Sequence, residues 1–320
     1  MGLRSDRRPQ RRPSRSATTM SYCKICGDSS GQAFEAAVRD YEYGTPGAWD
    51  YRRCLGCGGL TIDPIPNDAL LARAYPADYH AYSRPASALQ RAMKNRYWLG
   101  KARRYRRLAG AEGRVLDVGC GHGDLLEAIA NRGHRRDLLA GLDFSAQAVA
   151  SLQSRGITAW QGEVEGLLDQ NPGTFNLISL INFIEHVRDP VAVLRACRHM
   201  LRPGGWIIGE MPNPDCWDRR LFGRHWGGYH APRHLHLMDE GSFRQCAQAA
   251  GFGACRFDNM LQTAHWALSV QNFLVDRFHV GLESGRLPVY GVLQILTLPI
   301  NVIQYVCSRT TSVEFRLSEG

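Results

Sequence analysis

The stretch Val115-Leu116-Asp117-Val118-Gly119-Cys120-Gly121-His122-Gly123 decides the fold class of this 320-residue chain. A short apolar run, Arg114–Val118, leads into three alternating glycines, and a helical pattern follows over Asp124–Asn131. A strand, a glycine-rich turn and a helix in this order form the ligand-binding corner of many α/β folds. The glycines let the backbone approach a ligand closely, because they carry no Cβ atom.

Strand and helix patterns alternate beyond this corner. One helix is predicted from Ser145, a good N-cap, to Ser154, and another from Pro190, which suits a first helical turn, to Leu201. This alternation predicts an α/β fold whose parallel sheet carries helices on both faces. The further predicted strands are Leu138–Phe144, Ile157–Gln161, Phe175–Phe183 and Trp206–Met211.

Two acids and the glycine spacing indicate the ligand. The pattern Gly119-x-Gly121-x-Gly123 lacks the last spacing of a dinucleotide fingerprint, which serves a pyrophosphate. Asp117 precedes the loop, where its carboxylate repels a pyrophosphate but suits a cofactor with an ammonium and a sulfonium group. Asp143 ends the next strand, where an acid accepts both ribose hydroxyls. The alternative is a structural turn with two capping carboxylates.

Five segments together resemble the motifs of class I S-adenosylmethionine-dependent methyltransferases. Val115–Gly123 looks like motif I, and Leu142–Ser145 is similar to the ribose-binding segment. Gly162–Val164 resembles the segment whose acid meets the adenine amine, although Glu is less common there than Asp. Ile181–Pro190 resembles the motif after strand four, and Leu201–Gly205 the turn before strand five.

The resemblance implies a Rossmann-like, doubly wound sheet of seven strands, with the last strand antiparallel. Residues 111–320 would form this domain, with Phe252–Asp258 and Ser312–Leu317 as its last two strands. The cofactor would be S-adenosylmethionine. Asn182 departs from the family, whose members often carry Asp there, which weakens a charged role. The implied cofactor-binding residues are Asp117, Gly119, Cys120, Gly121, His122, Gly123, Asp143, Phe144, Glu163, Val164 and Asn182.

Two CxxC-Gly units stand near the N-terminus, Cys23-x-x-Cys26-Gly27 and Cys54-x-x-Cys57-Gly58. Four thiolates at this spacing suit a closed tetrahedral zinc site, which would hold together a segment too small for its own core. We therefore expect a zinc-binding element over residues 21–66, similar to the N-terminal element of some bacterial methyltransferases. Redox chemistry and nucleic-acid contact are the functional alternatives. The other cysteines are scattered along the chain and do not form a disulfide framework, which indicates a reducing, cytoplasmic location.

Excess positive charge is concentrated in two places, within a net charge of +9. Residues 1–20 hold six arginines and one acid and are interpreted as a disordered basic tail, with Met20 as a candidate start. Residues 67–110 are predicted to be a helical linker or cap, and 91–107 within them hold eight Lys or Arg and no acid. Such charge permits contact with nucleic acid or anionic lipid.

Candidate catalytic residues follow the fourth strand. His186 stands at the carboxyl edge of the predicted sheet, where ligands bind in such folds, and Glu185 precedes it. Histidine is the usual base near neutral pH, and His234 is a second candidate. The alternative is that Glu185 and His186 brace the following helix.

A segment rich in Gly, Trp and His, residues 213–236, is predicted to be a long loop. Loops of this length inside a domain are usually functional, and its aromatic residues suit stacking on a sugar or an aliphatic acceptor. His230, His234 and His236 also form a candidate metal set, but the run offers no carboxylate or cysteine to complete it.

Residues 259–310 form an unusually long insert between the last two strands. Leu287–Ser308 contains no charge and is long enough to be considered for a membrane span, but Pro288 and Pro299 interrupt it. A single crossing would also leave the last strand on the wrong side of the bilayer. We therefore expect a helical lid over the acceptor site that rests on a membrane surface as a peripheral contact.

The sequence thus predicts an S-adenosylmethionine-dependent methyltransferase with a small-molecule acceptor: a sugar, a glycan or lipid precursor, or a secondary metabolite. The methylated atom, O, N or C, stays open. One alternative is an RNA or protein methyltransferase that uses the zinc element and the basic helix for recognition, although no nucleic-acid motif beyond charge is present. The other is a cofactor-binding scaffold without catalysis.

Overall fold

The computed structural model describes residues 18–19, 22–76, 88–170 and 172–319. Their strands belong to two β-sheets. In chain order the strands are β1 (Thr18–Thr19), β2 (Ser30–Val38), β3 (Trp49–Cys54), β4 (Leu60–Asp63), β5 (Val115–Val118), β6 (Leu139–Asp143), β7 (Thr158–Gln161), β8 (Phe175–Ile181), β9 (Leu201–Pro212), β10 (His236–Leu237), β11 (Ala254–Asn259) and β12 (Ser312–Ser318).

Helices connect most of these strands, and short 3₁₀ turns occupy Arg136–Leu138, Val164–Gln170 and Gly223–His225. The α-helices are α1 (Asp68–Ala74), α2 (Ala88–Ala109), α3 (Asp124–Ala130), α4 (Ala146–Gln153), α5 (Pro190–Met200), α6 (Trp217–Phe222), α7 (Glu240–Ala249), α8 (Ala264–Phe278), α9 (Tyr290–Leu296) and α10 (Leu298–Val306).

The larger sheet has seven strands in the order β11-β12-β9-β8-β5-β6-β7. Strands β7, β6, β5, β8 and β9 pair in parallel, whereas β12 runs antiparallel to both β9 and β11. The sequence order reverses at β5, with β6 on one side and β8 on the other. The predicted doubly wound sheet with an antiparallel last strand is therefore confirmed, and the glycine loop follows β5 at the switch point where such sheets bind ligands.

Two apolar layers enclose this sheet. Alternate residues of β8 point to opposite faces: Leu177 packs with α2, α3 and α4, and Ile178 packs with α5 and α7. Both side chains are fully buried. Because each face of the strand meets a helical layer, its sequence is an almost continuous apolar run.

The smaller sheet is antiparallel, in the order β1-β2-β3-β4-β10, and it combines distant parts of the chain. Its last strand, β10, comes from the segment after β9, and His236 pairs with Thr61 of β4. The N-terminal element predicted over 21–66 is thus completed by residues from the 111–320 region. The predicted tail, residues 1–20, lies outside the described residues except for Thr18–Thr19, which pair with β2 and are not a free tail.

The prediction that 213–236 forms one long loop is wrong, and two of its aromatic residues are not available for stacking on an acceptor. The segment contains α6, a 3₁₀ turn and the start of β10, and the side chains of Trp226 and Tyr229 are 0% and 1% exposed. Both rings pack with Tyr51 of the smaller sheet, whose hydroxyl donates to the Tyr229 carbonyl. These aromatics form a core and do not present a stacking surface to an acceptor, because the smaller sheet covers them.

The insert over 259–310 contains three helices, α8, α9 and α10. Helix α10 buries two amides, Asn301 and Gln304, and exposes Val302, Ile303 and Val306. The Gln304 amide accepts from the Trp266 indole and donates to Asp218, so the buried polar groups have partners. Across the described ranges, every helix is too short or too polar to span a bilayer.

Candidate active site

The glycine loop is held by the end of β6. The amides of Gly119 and Cys120 donate to the Leu142 carbonyl, and the Gly121 amide donates to Asp143 Oδ2 at 2.8 Å. Gly119 has φ of 70°, and a Cβ there would lie 2.7 Å from the Phe183 ring. Glycine is required at this position by both its backbone conformation and the close approach of Phe183.

Asp117 and Asp143 are both buried at the carboxyl ends of their strands. Burial raises the pKa of the Asp117 carboxyl to about 7, although the Ser179 hydroxyl that donates to it acts in the opposite direction. A carboxylate in this position is therefore stabilised by a cationic ligand group. Asp143 bridges the glycine loop and α4, since its Oδ1 accepts from the Ser145 amide at 2.9 Å.

The other expected cofactor residues lie around the same edge, and they differ in what they expose. Phe144 and Glu163 are exposed, whereas Val164 is buried. The Cys120 side chain is buried against Gly141, so its backbone alone faces the loop. His122 belongs to the same loop, and its backbone carbonyl accepts a hydrogen bond from Arg155.

Asn182 has a conformational explanation. Its φ is +48°, in the left-handed region, and its amide donates to the Glu210 carbonyl at 2.9 Å. Asn tolerates this region better than most residues, because its short polar side chain bonds locally. The residue that departs from the family pattern therefore suits the turn after β8.

Glu185, His186 and His234 converge beside this edge. One carboxylate oxygen and one ring nitrogen from each histidine all lie within 4.8 Å of one another. The imidazole centroids are 4.6 Å apart in an edge-to-face arrangement. Glu185 is 2% exposed and His234 is 5% exposed. The candidate set of His230, His234 and His236 is not assembled, since His230 pairs with Glu42 and His236 with Thr61.

Backbone groups fix the two histidines. The His186 Nδ1 lies 3.0 Å from the Arg233 carbonyl, and the His234 Nδ1 lies 2.8 Å from the Gly228 carbonyl. A carbonyl oxygen only accepts, so both Nδ1 atoms carry the proton and both Nε2 atoms carry a lone pair. The Glu185 carbonyl in turn accepts from the amides of Leu235 and His236, which aligns the two segments.

Burial keeps all three side chains uncharged near neutral pH. It raises the pKa of the Glu185 carboxyl to about 8 and lowers the pKa of His186 to about 3. It also lowers the pKa of His234 well below the usual range. A buried imidazole with a lone pair accepts a hydrogen bond readily but resists a full positive charge.

Tyr75 was not predicted to be a site residue. Its hydroxyl lies 3.0 Å from His186 Nδ1, and its ring is 5.7 Å from that of Phe144. It therefore connects the cofactor edge with the histidines. In the sequence it is one apolar point of a helical pattern, and it stands just after α1, so nothing local separates it from a packing residue.

Arg233 positions the histidine segment and was also missed. It is fully buried, and its guanidinium donates to both Asp40 carboxylate oxygens at 2.9 and 3.1 Å. Glu42 lies 3.4 Å away and also binds Arg286 of the insert. Burial alone would raise the pKa of Glu42, but His230, Arg286 and Arg233 hold it well below its usual range. The smaller sheet thereby anchors the residues on both sides of His234.

The four predicted cysteines meet at one end of the smaller sheet, where β3 ends at Cys54. Their sulfur atoms all lie within 4.8 Å of one another, with Cys23 and Cys57 3.8 Å apart and Cys26 and Cys54 3.5 Å apart. Gly27 and Gly58 both have φ of 81°, which permits the turn that closes each knuckle.

A family model described as a methyltransferase domain matches residues 79–254, more than half of the chain. The chain belongs to this methyltransferase family. It is an S-adenosylmethionine-dependent methyltransferase, which favours catalysis over the scaffold alternative.

Similar proteins include the ubiquinone biosynthesis O-methyltransferase of Sodalis glossinidius, which is 32% identical over 175 residues, covering 52% of this methyltransferase and 67% of the relative. The protein of the same name from Paraburkholderia xenovorans is 40% identical over 100 residues, which cover 29% of this chain and 42% of the relative. The chain thus spans two thirds of one relative and less than half of the other. A crystal structure of a SAM-dependent methyltransferase from Archaeoglobus fulgidus is 16% identical, with a TM-score of 0.48, covering 70% of this chain and 93% of that one.

Proposed function

We propose that this methyltransferase methylates a hydroxyl oxygen of a small-molecule acceptor, with lipid precursors as the first class to test. The observation that carries this is the convergence of Glu185, His186 and His234 beside the glycine loop. Phe183 links the two, because its ring contacts Gly119 and it stands two residues before Glu185. The relatives' name, which combines O-methyl transfer with ubiquinone biosynthesis, supports an oxygen atom and a lipid precursor over a free sugar.

The residues fit S-adenosylmethionine. When bound, this cofactor supplies an electrophilic methyl group on a sulfonium. Asp117 is a buried acid whose ionised form needs a cation, which suits the ammonium group, and Asp143 suits the ribose hydroxyls. The remaining residues proposed to hold the cofactor are Gly119, Cys120 through its backbone, Gly121, His122, Gly123, Phe144, Glu163, Val164 and Asn182.

The proton of the acceptor hydroxyl must be taken up as the oxygen reacts. We assign this role to the Nε2 lone pair of His234 or His186, with Glu185 beside them. Their Nδ1 atoms are held by carbonyl groups, so each ring is fixed in one orientation. A positioned base contributes typically 10²–10⁴-fold to a rate, which sets the scale for the loss in a His→Ala variant.

We further propose that the four cysteines bind a structural zinc ion. The close approach of four sulfur atoms from two CxxC-Gly knuckles supports this. The cluster lies at the end of β3, close to the start of β4, so a bound ion would stabilise the sheet that anchors Arg233.

The insert supports an amphiphilic acceptor and a peripheral contact with a bilayer surface. Helices α9 and α10, together with Val289 just before α9, expose nine large apolar side chains, whereas α10 buries amides. An inverted arrangement of this kind suits lipid better than water. The exposed residues are Val289, Val292, Ile295, Leu296, Leu298, Val302, Ile303, Tyr305 and Val306.

One observation favours the RNA or protein alternative. Arg103, Arg106, Arg107 and Arg132 line an open cavity of about 690 Å³ beside α2. Part of the basic helix is used internally, however, because Lys101 and Arg104 form ion pairs with the buried carboxylates of Glu210 and Glu314. RNA binding that weakens steeply with salt would support this alternative.

Transfer of a labelled methyl group to a panel of acceptors tests the function. The panel contains hydroxylated ubiquinone precursors with and without an isoprenoid tail, free sugars and RNA. We expect methylation of a hydroxylated lipid precursor, lowered at least 100-fold in His234→Ala or in His186→Ala, and unchanged in His199→Ala, an exposed histidine of α5. Methylation of RNA alone, or full turnover in both site variants, would contradict the proposal.

A further inference from the structure

The cluster of Glu185, His186 and His234 has the composition of a metal site. Two imidazoles and one carboxylate with ligand atoms within 4.8 Å of one another are the ligand set of catalytic zinc sites, which leave one coordination position open. The cluster is formed by residues after β8 and just before β10, and it is separate from the four cysteines. We propose that it binds a divalent zinc-class cation.

The buried carboxyl group of Glu185 supports a bound cation. It is 2% exposed, and neither of its oxygens has a hydrogen-bonding partner within the described ranges. A buried polar group without a partner costs about 1–3 kcal/mol, and an ionised one costs more. Such a group needs an explanation, and an ion is one of the usual ones. His186 and His234 each place a ring nitrogen within 4.8 Å of it, so they are able to share a cation with it.

The orientations of the two histidine rings also support a bound cation. In metal sites a ligating imidazole usually donates its other N–H to a carbonyl or carboxylate, which fixes the tautomer and the ring. Both histidines do so here, His186 to the Arg233 carbonyl and His234 to the Gly228 carbonyl. The atoms left with lone pairs are therefore Nε2 in both rings. Neutral imidazole is the form that binds metal.

An open fourth position gives the cation a role at the acceptor. An acceptor hydroxyl bound there would lose its proton to solvent more readily, because a Lewis-acidic ion lowers the pKa of a bound hydroxyl, as it does that of bound water. This role rests on the proposed function, whereas the binding of the ion does not. With the ion bound, both Nε2 lone pairs are engaged as ligands, so the ion takes over the role assigned above to a histidine base.

Zinc content tests the site. The full-length protein is equilibrated with saturating Zn²⁺, freed of unbound ion and analysed by elemental mass spectrometry. We expect Glu185→Gln and His234→Ala each to hold one zinc fewer per chain than the wild type, whatever the cysteines retain. His134→Ala is the matched control, since His134 is a buried histidine outside the cluster that bonds the Gly113 carbonyl. It is expected to keep the wild-type zinc content.

A thermal readout guards against variants that do not fold. In protein whose cysteine site already holds zinc, further Zn²⁺ is expected to raise the Tm of wild type and His134→Ala, because a ligand of the native state stabilises it, and to leave that of Glu185→Gln unchanged. Glu185→Gln keeps the shape of the side chain, so its apo form should unfold cooperatively near the wild-type temperature. Equal zinc content in wild type and Glu185→Gln, or an equal Tm response, would overturn the site.

The two proposals fail separately. Loss of one zinc in Glu185→Gln together with no methylation of any hydroxylated acceptor would refute the proposed function and retain the metal site. Methylation of a hydroxylated acceptor by a wild type whose zinc content matches that of Glu185→Gln would refute the metal site and retain the function.

Discussion

Replacing Arg233 by Met should destabilise the protein strongly. Arg233 is 0% exposed and holds Asp40 through two hydrogen bonds of 2.9 and 3.1 Å, with Glu42 at 3.4 Å. Removing one partner of a buried ion pair leaves an uncompensated charge and costs about 3–5 kcal/mol. Glu42 retains His230 and Arg286 as partners, so we place the loss for Arg233→Met near the lower end, at about 3 kcal/mol.

A double mutant separates the charge effect from lost packing. Asp40 also accepts hydrogen bonds from the amides of Glu42, Tyr43 and Thr45 and from the Thr45 hydroxyl. Asn at position 40 keeps an acceptor oxygen and removes the charge, so Asp40→Asn combined with Arg233→Met should be more stable than Arg233→Met alone.

Urea unfolding followed by circular dichroism gives the free energies of unfolding. Arg198→Met is the control, since Arg198 forms an exposed ion pair with Glu319 and its loss should cost less than about 1 kcal/mol. The Arg233 variant should also lose methyl transfer at temperatures where it remains folded, because the Arg233 side chain holds in place the backbone whose carbonyl bonds His186. A loss below about 1 kcal/mol, or a double mutant no more stable than Arg233→Met, would refute this reasoning.

Three further outcomes are expected. Burial raises the pKa of Asp117 to about 7, and a bound ammonium group favours its ionised form. Cofactor affinity should therefore fall as the pH drops below 7, and binding should release a proton in that range. Calorimetry in buffers of different ionisation enthalpy measures the proton release, and pH-independent binding would count against this prediction. Cys54→Ser should release zinc and destabilise the smaller sheet, whereas the control Cys307→Ser, at an exposed cysteine, should do neither. Unchanged zinc content in Cys54→Ser would show that the cysteines are not the ligands. Ile303→Glu should weaken sedimentation of the protein with anionic vesicles, whereas Leu55→Glu, at a similarly exposed side chain, should not. Equal sedimentation of the two variants would exclude the insert as the membrane contact.

The local parts of the fold were predictable from the sequence. Strands such as β8 are apolar runs between turn residues, and Ser145 and Asp189 cap helices with their own side chains. The glycine loop is equally local, since Gly119 needs a positive φ and lies against Phe183. Strand ends alone indicated that Glu185 and His186 lie at the ligand-binding edge.

Contacts between distant segments were not predictable. Asp40 and Arg233 are 193 positions apart, and the sequence around either residue does not predict its pairing with the other. The same holds for β10, a strand of two residues whose pairing with β4 buries Trp226 and Tyr229. Aromatic content alone does not distinguish a core from a binding surface, because both bury apolar area.

The pairing of β10 with β4 has a consequence for how the chain matures on the ribosome. Residues 22–66 emerge before β10, so their sheet keeps an open edge at β4 until His236 and Leu237 have been synthesised. Until then Asp40 also lacks Arg233. The N-terminal element is therefore not a transplantable module: a fragment that stops before residue 213 would carry an unpaired edge and a buried acid without its cation. Grafting it onto another enzyme would require the segment 213–237 as well.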